Sequence, residues 1–547
     1  MEMPDDANVS TSARKLKDSG DDYDIEVDNT ISYCMLNFIT VFTAISNAVV
    51  CKECKSNVTF TESGKRGLGF KIVISCANCD KKEVPNCSFV DKSYEINRRI
   101  ILAMRMLGVD LNGTMKFCAF MDLPRPIFQS FYDKVVKTIS IASEAVCNKS
   151  MNNAADFEKK RSIEKKQEHG ISVSGDGTWR KRGFSSLFGL VSLIGWCSGK
   201  IIDFVVKSKY CRKCEHWKKQ LDTEEFEEWY ENHADECDAN HEGSAGKMEV
   251  DAVIEMFHRS EELYKVKYAN YIGDGDSKTF KGILDSDPYE NFTVTKKECI
   301  DHVQKRMGTR LRNLKKATKG LGGKGKLTGK LIDELSIYYG LAIRRNHDSI
   351  EKMRNNIWAT LYHKISTDEN PQHEQCPPGE DSWCSWQRMN ATNTLEEHHH
   401  KIPISEEVFK AIKPIYEELS SDDLLTRCIG GYTQNSNESF NATVWAMAPK
   451  SMSSGKTILD IATHIAICVY NDGMTPIMEI MQTLGIKIGR NCYNFCIEAD
   501  ERRVLLAETK LTDAAKLARQ ASKSTRKEED QENTNLEGQL YGAGIAD

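Results

Sequence analysis

The sequence predicts an α/β protein that also carries an α-helical insertion and cysteine-rich modules. Two observations indicate this: β-prone apolar segments alternate with helical patterns in the middle of the chain, and many cysteines occur as Cys-x-x-Cys pairs. With 547 residues the chain is too long for one compact core, so we expect several folding units. The net charge of −6 is too small to demand or exclude a nucleic-acid partner.

The central region gives the clearest succession of elements. The predicted elements are strands at 171–174, 187–196, 201–206, 268–273 and 292–295, with helices at about 248–264 and 278–284. A Cys/His-rich segment separates the third strand from the first of these helices. The order of three strands, helix, strand, helix and strand is that of a ribonuclease-H-like α/β layer. We therefore expect such a core at residues 170–302, interrupted by a zinc-binding insertion at 207–245.

The remaining segments suggest further units on either side of this core. Polar, charged composition predicts disorder at both ends of the chain, and apolar residues at helical spacing predict the helical regions. The expected units are an acidic tail at 1–30, a zinc-ribbon-like module at 31–92, a helical DNA-binding or linker region at 93–169, a helical insertion at 303–429, a completion of the core with C-terminal helices at 430–510, and a charged tail at 511–547.

Acidic residues follow two of the predicted strands. Asp176 and Asp274 each come after an apolar strand and are flanked by glycines. In this topology the two strands are neighbours, so the carboxylates would converge at one edge of the sheet, and Glu438 near a helix start would supply a third. Such a set can hold two metal ions about 3.5–4 Å apart for phosphodiester cleavage. The alternatives are that Gly-Asp-Gly is a simple turn, and that Asp276 takes the place of Asp274.

Four separated blocks of sequence resemble the Mutator-like transposase domain. The blocks are Ser174 to Trp179, Tyr271 to Lys278, Glu298 to Gly308 and Gln434 to Ser439, and they occur in the family's order. The resemblance implies an Asp-Asp-Glu catalytic triad of Asp176, Asp274 and Glu438 that binds Mg²⁺ or Mn²⁺. It also implies a Cys-x-x-His signature, which Cys299 and His302 match and which we expect to brace the core.

The resemblance implies that the protein is a transposase that cleaves DNA strands and transfers them to a target. The expected partners are double-stranded DNA, as transposon ends and target, and further copies of the chain. One alternative is a host-retained relative that binds DNA or chromatin through its zinc modules without catalysis. Another is a ribonuclease-H-like nuclease without strand transfer.

Cysteine spacing predicts zinc sites in two places. Cys51, Cys54, Cys76 and Cys79 form two Cys-x-x-Cys pairs, which suit a closed tetrahedral site of thiolates. Cys87 is a nearby cysteine that belongs to neither pair, and we do not expect it to bind this ion. The second set is Cys211, Cys214, His233 and Cys237, with His216 and His241 nearby; His241 is the alternative ligand.

A third set of ligand types lies within the predicted helical insertion. His363, His373, Cys376 and Cys384 have irregular spacing, so the sequence makes them only a possible zinc site. The run from His398 to His400 lies on a polar stretch, and we expect it to be exposed to solvent rather than to bind metal.

Basic residues are concentrated after the Cys-x-x-His signature. Those we expect to contact DNA phosphates are Lys305, Arg306, Arg310, Arg312, Lys315 and Lys316. Contacts of this kind are driven by charge and are largely blind to sequence. The alternative is a solvated helix face or a nuclear-import signal.

The sequence also indicates a cellular compartment. The start of the chain is acidic and lacks the pattern of a secretory signal, and the longest apolar stretch, 186–196, is too short to cross a membrane. Paired cysteines fit metal-bound thiolates in a reducing environment. We therefore expect an intracellular, nuclear protein with no membrane association.

Overall fold

The computed structural model describes residues 9–17, 23–167, 169–181, 186–217, 223–273, 277–323, 326–451, 454–512 and 515. The strands are β1 (Thr59–Arg66), β2 (Gly69–Ser75), β3 (Lys82–Pro85), β4 (Phe89–Val90), β5 (Ser93–Tyr94), β6 (Ile171–Trp179), β7 (Phe188–Gly195), β8 (Ile201–Ser208), β9 (Tyr268–Gly273) and β10 (Thr295–Glu298). The helices before the mixed sheet are α1 (Thr11–Leu16), α2 (Phe38–Ala48), α3 (Glu95–Met106), α4 (Leu111–Phe120) and α5 (Gln129–Glu164).

The later helices fall within and after the mixed sheet. They are α6 (Arg212–Trp217), α7 (Glu224–His233), α8 (Ala245–Tyr264), α9 (Ser277–Ser286), α10 (Ile300–Ala317), α11 (Gly329–Arg345), α12 (Ile350–Ile365), α13 (Ser385–Ala391), α14 (Glu406–Leu419), α15 (Asp422–Cys428), α16 (Asn435–Met447), α17 (Lys456–Asp472), α18 (Thr475–Thr483) and α19 (Arg490–Leu511). Short 3-10 helices occupy Ala234–Glu236 and Leu395–Glu397. No helix in the described ranges is long and apolar enough to cross a membrane.

The chain divides into two compact units. The first comprises Met1–Met151, Ala446–Pro449 and Asp460–Asp547. Its strands β1, β2 and β3 form an antiparallel sheet, and α17 and α18 supply many buried apolar side chains, including Ile465 and Met478.

The N-terminal segment contains ordered parts where the sequence predicts a disordered tail at 1–30. Tyr23 is buried and donates a hydrogen bond of 2.9 Å from its hydroxyl to Oδ2 of Asp472. The Lys15 ammonium lies 3.3 Å from the ring centroid of Tyr470. These contacts hold the segment on α17 although its composition is polar. The expected tail at 511–547 lies almost wholly outside the described residues.

The second unit comprises Asn152–Trp445 and Lys450–Leu459 and contains a mixed sheet. Among the described residues its strand order is β10-β9-β6-β7-β8. Strands β6, β7 and β8 pair antiparallel, whereas β9 and β10 run parallel to β6. Every residue of β7 is buried, as expected of a central strand covered on both faces. Helix α8 packs its apolar side, including Val253 and Phe257, against this sheet.

The helices that follow the sheet share a separate apolar core within the same unit. Buried side chains from α10, α11, α12 and α14 meet there, among them Leu311, Tyr339, Ile357 and Tyr416. The hydroxyl of Tyr339 donates a 2.8 Å hydrogen bond to the carbonyl oxygen of Leu419, which satisfies a polar group inside this core.

Strands β6 and β10 differ most from the sequence expectation. β6 runs on to Trp179, because its antiparallel pairing with β7 continues through Asp176↔Ser192 to Trp179↔Gly189. β10 occupies Thr295–Glu298 instead of 292–295, because Thr295 starts its parallel register with Asn270 of β9. Asp176 therefore lies inside a strand, past the point where β6 pairs with β9, which ends at Ser174↔Ile272.

Candidate active site and metal centres

Helix α16 lies along one face of β6 and is attached to it by a ladder of hydrogen bonds. Alternate residues of a strand share a face, so the side chains of Ser174, Asp176 and Thr178 point to the same side. The bonds join Asn437 Nδ2 to Ser174 O (3.1 Å), Ser174 Oγ to Asn437 Oδ1 (2.8 Å), Asn441 Nδ2 to Asp176 Oδ2 (2.8 Å), Trp445 Nε1 to Thr178 Oγ1 (2.9 Å) and Gln434 Nε2 to Gly175 O (2.7 Å).

The ladder forms because the spacings of helix and strand match. Two residues of a strand advance about 6.6 Å, and four residues of a helix advance about 6.0 Å. Asn437, Asn441 and Trp445 follow one another at intervals of four along α16. Each can therefore meet every second residue of β6. The amide side chains provide both the donor and the acceptor that a buried strand requires.

Glu438 lies at the margin of this interface. At about 100° per residue, it is about 40° from Gln434 and about 60° from Asn441 around the helix axis. Glu438 itself is exposed and lies in the first turn of α16. The structure thus brings the helix that carries Glu438 to the strand that carries Asp176.

The predicted second aspartate, Asp274, and its alternative, Asp276, lie outside the described residues. Strand β9 ends at Gly273, immediately before Asp274 in the sequence.

The glycines before these aspartates have a packing role. A Cβ atom added to Gly175 or to Gly273 would lie 2.6 Å from the ring of Tyr271, which is buried. Real Cβ contacts are not this short, so the Tyr271 ring can occupy this position only because residues 175 and 273 are both glycine. The simple turn considered for Gly175-Asp176-Gly177 is wrong, because these residues are paired within β6.

Buried polar atoms near Asp176 provide a test of whether a hydrated metal ion fits there. Ser192 pairs with Asp176 across β6 and β7, so their side chains share a face. Ser192 Oγ, Gln434 Oε1 and Asn441 Oδ1 are buried and have no hydrogen-bond partner within the described part of the chain. Unsatisfied buried oxygens of this kind need water or an ion, and Mg²⁺ keeps several of its waters when it binds carboxylates. The residues present therefore fit such an ion.

Cys299 and His302 lie where β10 passes into α10. Cys299 is buried and precedes the first residue of α10, and its carbonyl oxygen accepts hydrogen bonds from the backbone N–H groups of His302 and Val303. The next residue, Ile300, donates from its backbone to the carbonyl oxygen of Tyr432, three residues before α16. The signature thus lies on the connection that anchors the start of α16.

A zinc ion imposes distances that can be compared with the cysteine-rich clusters. With Zn–S bonds of about 2.3 Å and Zn–N bonds of about 2.0 Å, a tetrahedron puts sulfur atoms about 3.8 Å apart, sulfur and nitrogen about 3.5 Å apart and nitrogen atoms about 3.3 Å apart.

The first cluster joins Cys51, Cys54, Cys76 and Cys79, and it lies in the unit that contains the small antiparallel sheet. The Sγ atoms of Cys51 and Cys79 are 3.8 Å apart, and those of Cys54 and Cys76 are 3.5 Å apart. Hydrogen bonds from Ser56 lower the pKa of Cys54 to about 6, which favours the thiolate that binds metal. Cys87 is not among the ligands.

The second cluster joins Cys211, Cys214, His233 and Cys237. Cys211 Sγ lies 3.3 Å from His233 Nε2, and the Sγ atoms of Cys214 and Cys237 are 3.5 Å apart. The alternative ligand, His241, is occupied elsewhere: one ring nitrogen donates to the carbonyl oxygen of Ser244 and the other lies 3.3 Å from Asp251. His216 is exposed.

The third cluster joins His363, His373, Cys376 and Cys384. The Nδ1 atoms of the two histidines are 3.2 Å apart, and Cys384 Sγ lies 3.6 Å from His363 Nδ1 and 3.4 Å from His373 Nδ1. Burial lowers the pKa of His373 to about 4, which keeps the imidazole neutral and able to bind metal. The spacing in the sequence is irregular because His363 lies in α12, whereas His373, Cys376 and Cys384 lie in the segment that follows that helix.

In each cluster the separations given above lie within about 0.3 Å of those of a tetrahedral zinc site, and all four ligand atoms lie within 4.8 Å of one another. Each cluster can therefore bind zinc.

The expectation that the run His398 to His400 is simply exposed is wrong for two of its members. His399 is exposed, but His398 and His400 are half-buried and lie with Asp368 in a further group of metal-binding residue types. Sequence reasoning missed Asp368, which lies 30 residues before His398 in a polar loop and has no motif around it.

The predicted DNA-binding residues on α10 fall into two groups: arginines that pair with acidic side chains, and lysines that do not in the part of the chain that the structure describes. Arg306 pairs with Glu298 at 2.6 Å, Arg310 with Glu418, and Arg312 with Asp333 at 2.6 Å. Lys305 and Lys316 are exposed and Lys315 is half-buried, and within the described ranges none of these lysines forms an ion pair. The acidic partners reduce the positive charge that the three arginines offer to a phosphate backbone.

Comparison with known proteins identifies a family for this chain. The Mutator-like transposase family matches residues 33–384, which is well over half of the chain. The match includes Asp176, Asp274 and the Cys-x-x-His signature, and it stops before Glu438. No curated protein and no solved structure matches significantly. Membership of this family implies that DNA is a partner. The chain belongs to the Mutator-like transposase family.

Proposed function

We propose that this chain is a DNA transposase that cuts and joins DNA strands with Asp176, Asp274 and Glu438 in a ribonuclease-H-like core. The order of the mixed sheet supports this assignment, with β6, β7 and β8 antiparallel and β9 and β10 parallel to β6. The observation that carries the proposal is the attachment of α16 to the face of β6 on which Asp176 lies.

Asp274 is the better candidate for the second carboxylate. Ser174 pairs with Ile272 in the parallel register of β6 and β9. Asp176 comes two residues after Ser174, and Asp274 comes two residues after Ile272. Asp276 lies two residues further along the chain. Continuation of this register beyond its last pair would bring Asp274, and not Asp276, level with Asp176, so we favour Asp274.

The three carboxylates would hold Mg²⁺ or Mn²⁺, and a pair of such ions would supply an activated water or 3′-hydroxyl nucleophile and stabilise the leaving oxygen. The chain's own residues would do the positioning. Asn441 fixes one oxygen of Asp176 through its amide N–H group. The backbone bond from Ile300 to Tyr432 fixes the segment that leads into α16 and Glu438.

DNA would lie along α10. Lys305 and Lys316 project from that helix without acidic partners in the described structure, so they are the residues we assign to phosphate contacts. We further propose that the chain acts as a homo-oligomer on transposon ends and target DNA in the nucleus, because strand transfer requires two ends to be held together.

The test uses a supercoiled plasmid that carries the gene with its flanking genomic DNA. The full chain is incubated with it in Mg²⁺ or Mn²⁺, and nicked and linear products are measured. We expect cleavage by the wild type and no detectable cleavage by Asp176→Asn or Glu438→Gln, because each substitution removes a carboxylate that would hold the metal ions. Asp285→Asn, which changes an exposed acid on α9, is the matched control and should cleave like the wild type. Cleavage that survives Asp176→Asn would refute the proposal.

A second candidate is a host-retained protein that binds DNA without cutting it. The observation in its favour is that the family match ends at residue 384, before Glu438. Binding of the same DNA without cleavage, in both metals, would support this candidate over the catalytic one.

A further inference from the structure

A second group of side chains adjoins the third cluster. Asp368, His398 and His400 have ligand atoms close to one another, and His400 also reaches a member of the third cluster. His400 Nδ1 lies 2.6 Å from Asp368 Oδ1, and His400 Nε2 lies 2.8 Å from His373 Nε2. The imidazole of His400 therefore connects a carboxylate to a residue of the third cluster.

Distances decide between two explanations of this contact. If a second metal ion joined these groups in a tetrahedral site, its nitrogen and oxygen ligands would be about 3.3 Å apart. The separations of 2.6 and 2.8 Å are shorter and are those of hydrogen bonds, the first one assisted by charge. The geometry favours a chain of hydrogen bonds from Asp368 through His400 to His373.

When the ring of His400 is neutral, these hydrogen bonds allow one arrangement of protons. A carboxylate only accepts hydrogen bonds, so Nδ1 of His400 carries a proton and donates it to Asp368. In a neutral imidazole the other nitrogen is then an acceptor, so Nε2 of His400 accepts from Nε2–H of His373. His373 is left with an unprotonated Nδ1. That atom faces the third cluster, 3.2 Å from Nδ1 of His363 and 3.4 Å from Sγ of Cys384.

We propose that His400 and Asp368 are positioning residues of a zinc centre made by His363, His373, Cys376 and Cys384. Metal-bound histidines generally donate their second ring N–H group to a carboxylate, a carbonyl oxygen or a water, which fixes the tautomer and the ring orientation. Here the acceptor is a second histidine, which is itself oriented by a carboxylate. A ligand set of two thiolates and two imidazoles suits zinc.

Other contacts keep this outer pair in place. The backbone N–H group of His400 donates to Asp368 Oδ1 at 2.8 Å, so the same carboxylate oxygen holds both the backbone and the ring of His400. His373 is buried, its carbonyl oxygen accepts a 2.8 Å bond from Gln387 Nε2, and its ring stacks on Trp386. The side chain of His400 is only 10% exposed, whereas that of Asp368 is 54% exposed, so water competes less for the bond between His400 and His373 than for the bond to Asp368.

The consequence is that zinc binding links the end of α12 to the segment that precedes α14. His363 lies in the last turn of α12, whereas His400 lies six residues before the first residue of α14. The backbone bond of 3.0 Å from Ile404 N–H to the carbonyl oxygen of Lys364 joins the same two segments. This role does not depend on whether the chain cleaves DNA.

The test measures zinc binding by the full chain. Zinc-loaded protein is titrated with a chromophoric chelator, and bound zinc is counted by elemental analysis. We expect His400→Ala to release one zinc equivalent per chain at a chelator concentration about 10–100-fold lower than the wild type, with the remaining zinc unaffected. Asp368→Asn should have a smaller effect in the same direction. His258→Ala, at an exposed histidine of α8 that lies outside all of these clusters, is the matched control and should behave like the wild type.

Two further measurements separate positioning from a general loss of structure. His400→Gln, whose amide can accept from His373 and donate to Asp368, should recover part of the lost affinity. The double variant His400→Ala with Asp368→Asn should bind zinc no more weakly than His400→Ala alone, because Asp368 acts through His400. If His400→Ala fails to fold, Asp368→Asn carries the test. Unchanged zinc release in both variants, or a whole additional zinc that His400→Ala removes, would overturn the proposal.

Discussion

Asn441 of α16 donates a hydrogen bond of 2.8 Å from Nδ2 to Oδ2 of Asp176 in β6, across 265 residues of sequence. The other amide atom, Asn441 Oδ1, is buried and has no partner within the described residues. Asn441 thus orients the carboxylate that we propose to be catalytic and presents an acceptor beside it.

Replacement of Asn441 by alanine should reduce metal-dependent DNA cleavage. A hydrogen bond to a charged group contributes about 1.5–3 kcal/mol, so we expect the cleavage rate to fall by roughly 10–100-fold. The measurement is the single-turnover rate on plasmid DNA across a range of Mg²⁺ concentrations. Ser439→Ala, which changes an exposed residue of the same helix, is the control. A full rate in Asn441→Ala would show that Asp176 needs no support from α16.

Replacement of Asn437 should lower the stability of the fold whether or not the chain is an active enzyme. Its fully buried side chain bonds both the hydroxyl and the carbonyl oxygen of Ser174. Asn437→Ala removes both bonds and takes this partner from the buried hydroxyl of Ser174, at a cost of about 1–3 kcal/mol. Urea denaturation should show a lower free energy of unfolding. An unchanged midpoint would mean that α16 is not fixed to β6 by this pair.

The cysteine clusters predict the zinc content of the purified chain. Elemental analysis should give about three zinc ions per chain, one for each cluster with tetrahedral separations. Cys54→Ser should lower the content by one ion, because it removes a ligand of the first cluster. Cys87→Ser, which changes a cysteine outside that cluster, should leave it unchanged. Loss of zinc in the Cys87 variant would show that the ligands have been misidentified.

The lysines of α10 should contribute to DNA affinity through their charge alone. Lys305→Ala and Lys316→Ala should each weaken binding and reduce the slope of log K against log salt by about 1. The measurement is fluorescence anisotropy with duplex DNA at several salt concentrations. Lys413→Ala, at an exposed lysine of α14, is the control. Equal salt slopes in all three variants would exclude α10 as the DNA-binding surface.

Much of the fold, and most of the candidate zinc ligands, could be predicted from local sequence patterns. The apolar run of β7 and the helical spacing of α8 are visible in the sequence, because burial on a strand or a helix face leaves a periodic trace. The candidate zinc ligands of the first two clusters were found from the sequence because paired cysteines place ligands within short segments. The position of Asp176 after an apolar strand and of Glu438 near a helix start suggested metal binding, and the family resemblance led to the proposal that they belong to a catalytic triad.

Tertiary structure decided the relationships that join distant residues. Nothing near Asn441 in the sequence indicates that it meets Asp176, and nothing near Asp368 indicates that it orients His400. Both contacts depend on how two elements pack, and packing brings together side chains whose separation along the chain carries no signal. The pairing of Arg306 and Arg310 with acidic residues likewise depends on the packing of α10 and could not be read from the sequence.

The sequence by itself determined which elements form and which ligands are available, since these follow from periodicity and residue type. The tertiary structure alone decided which side chains share a site.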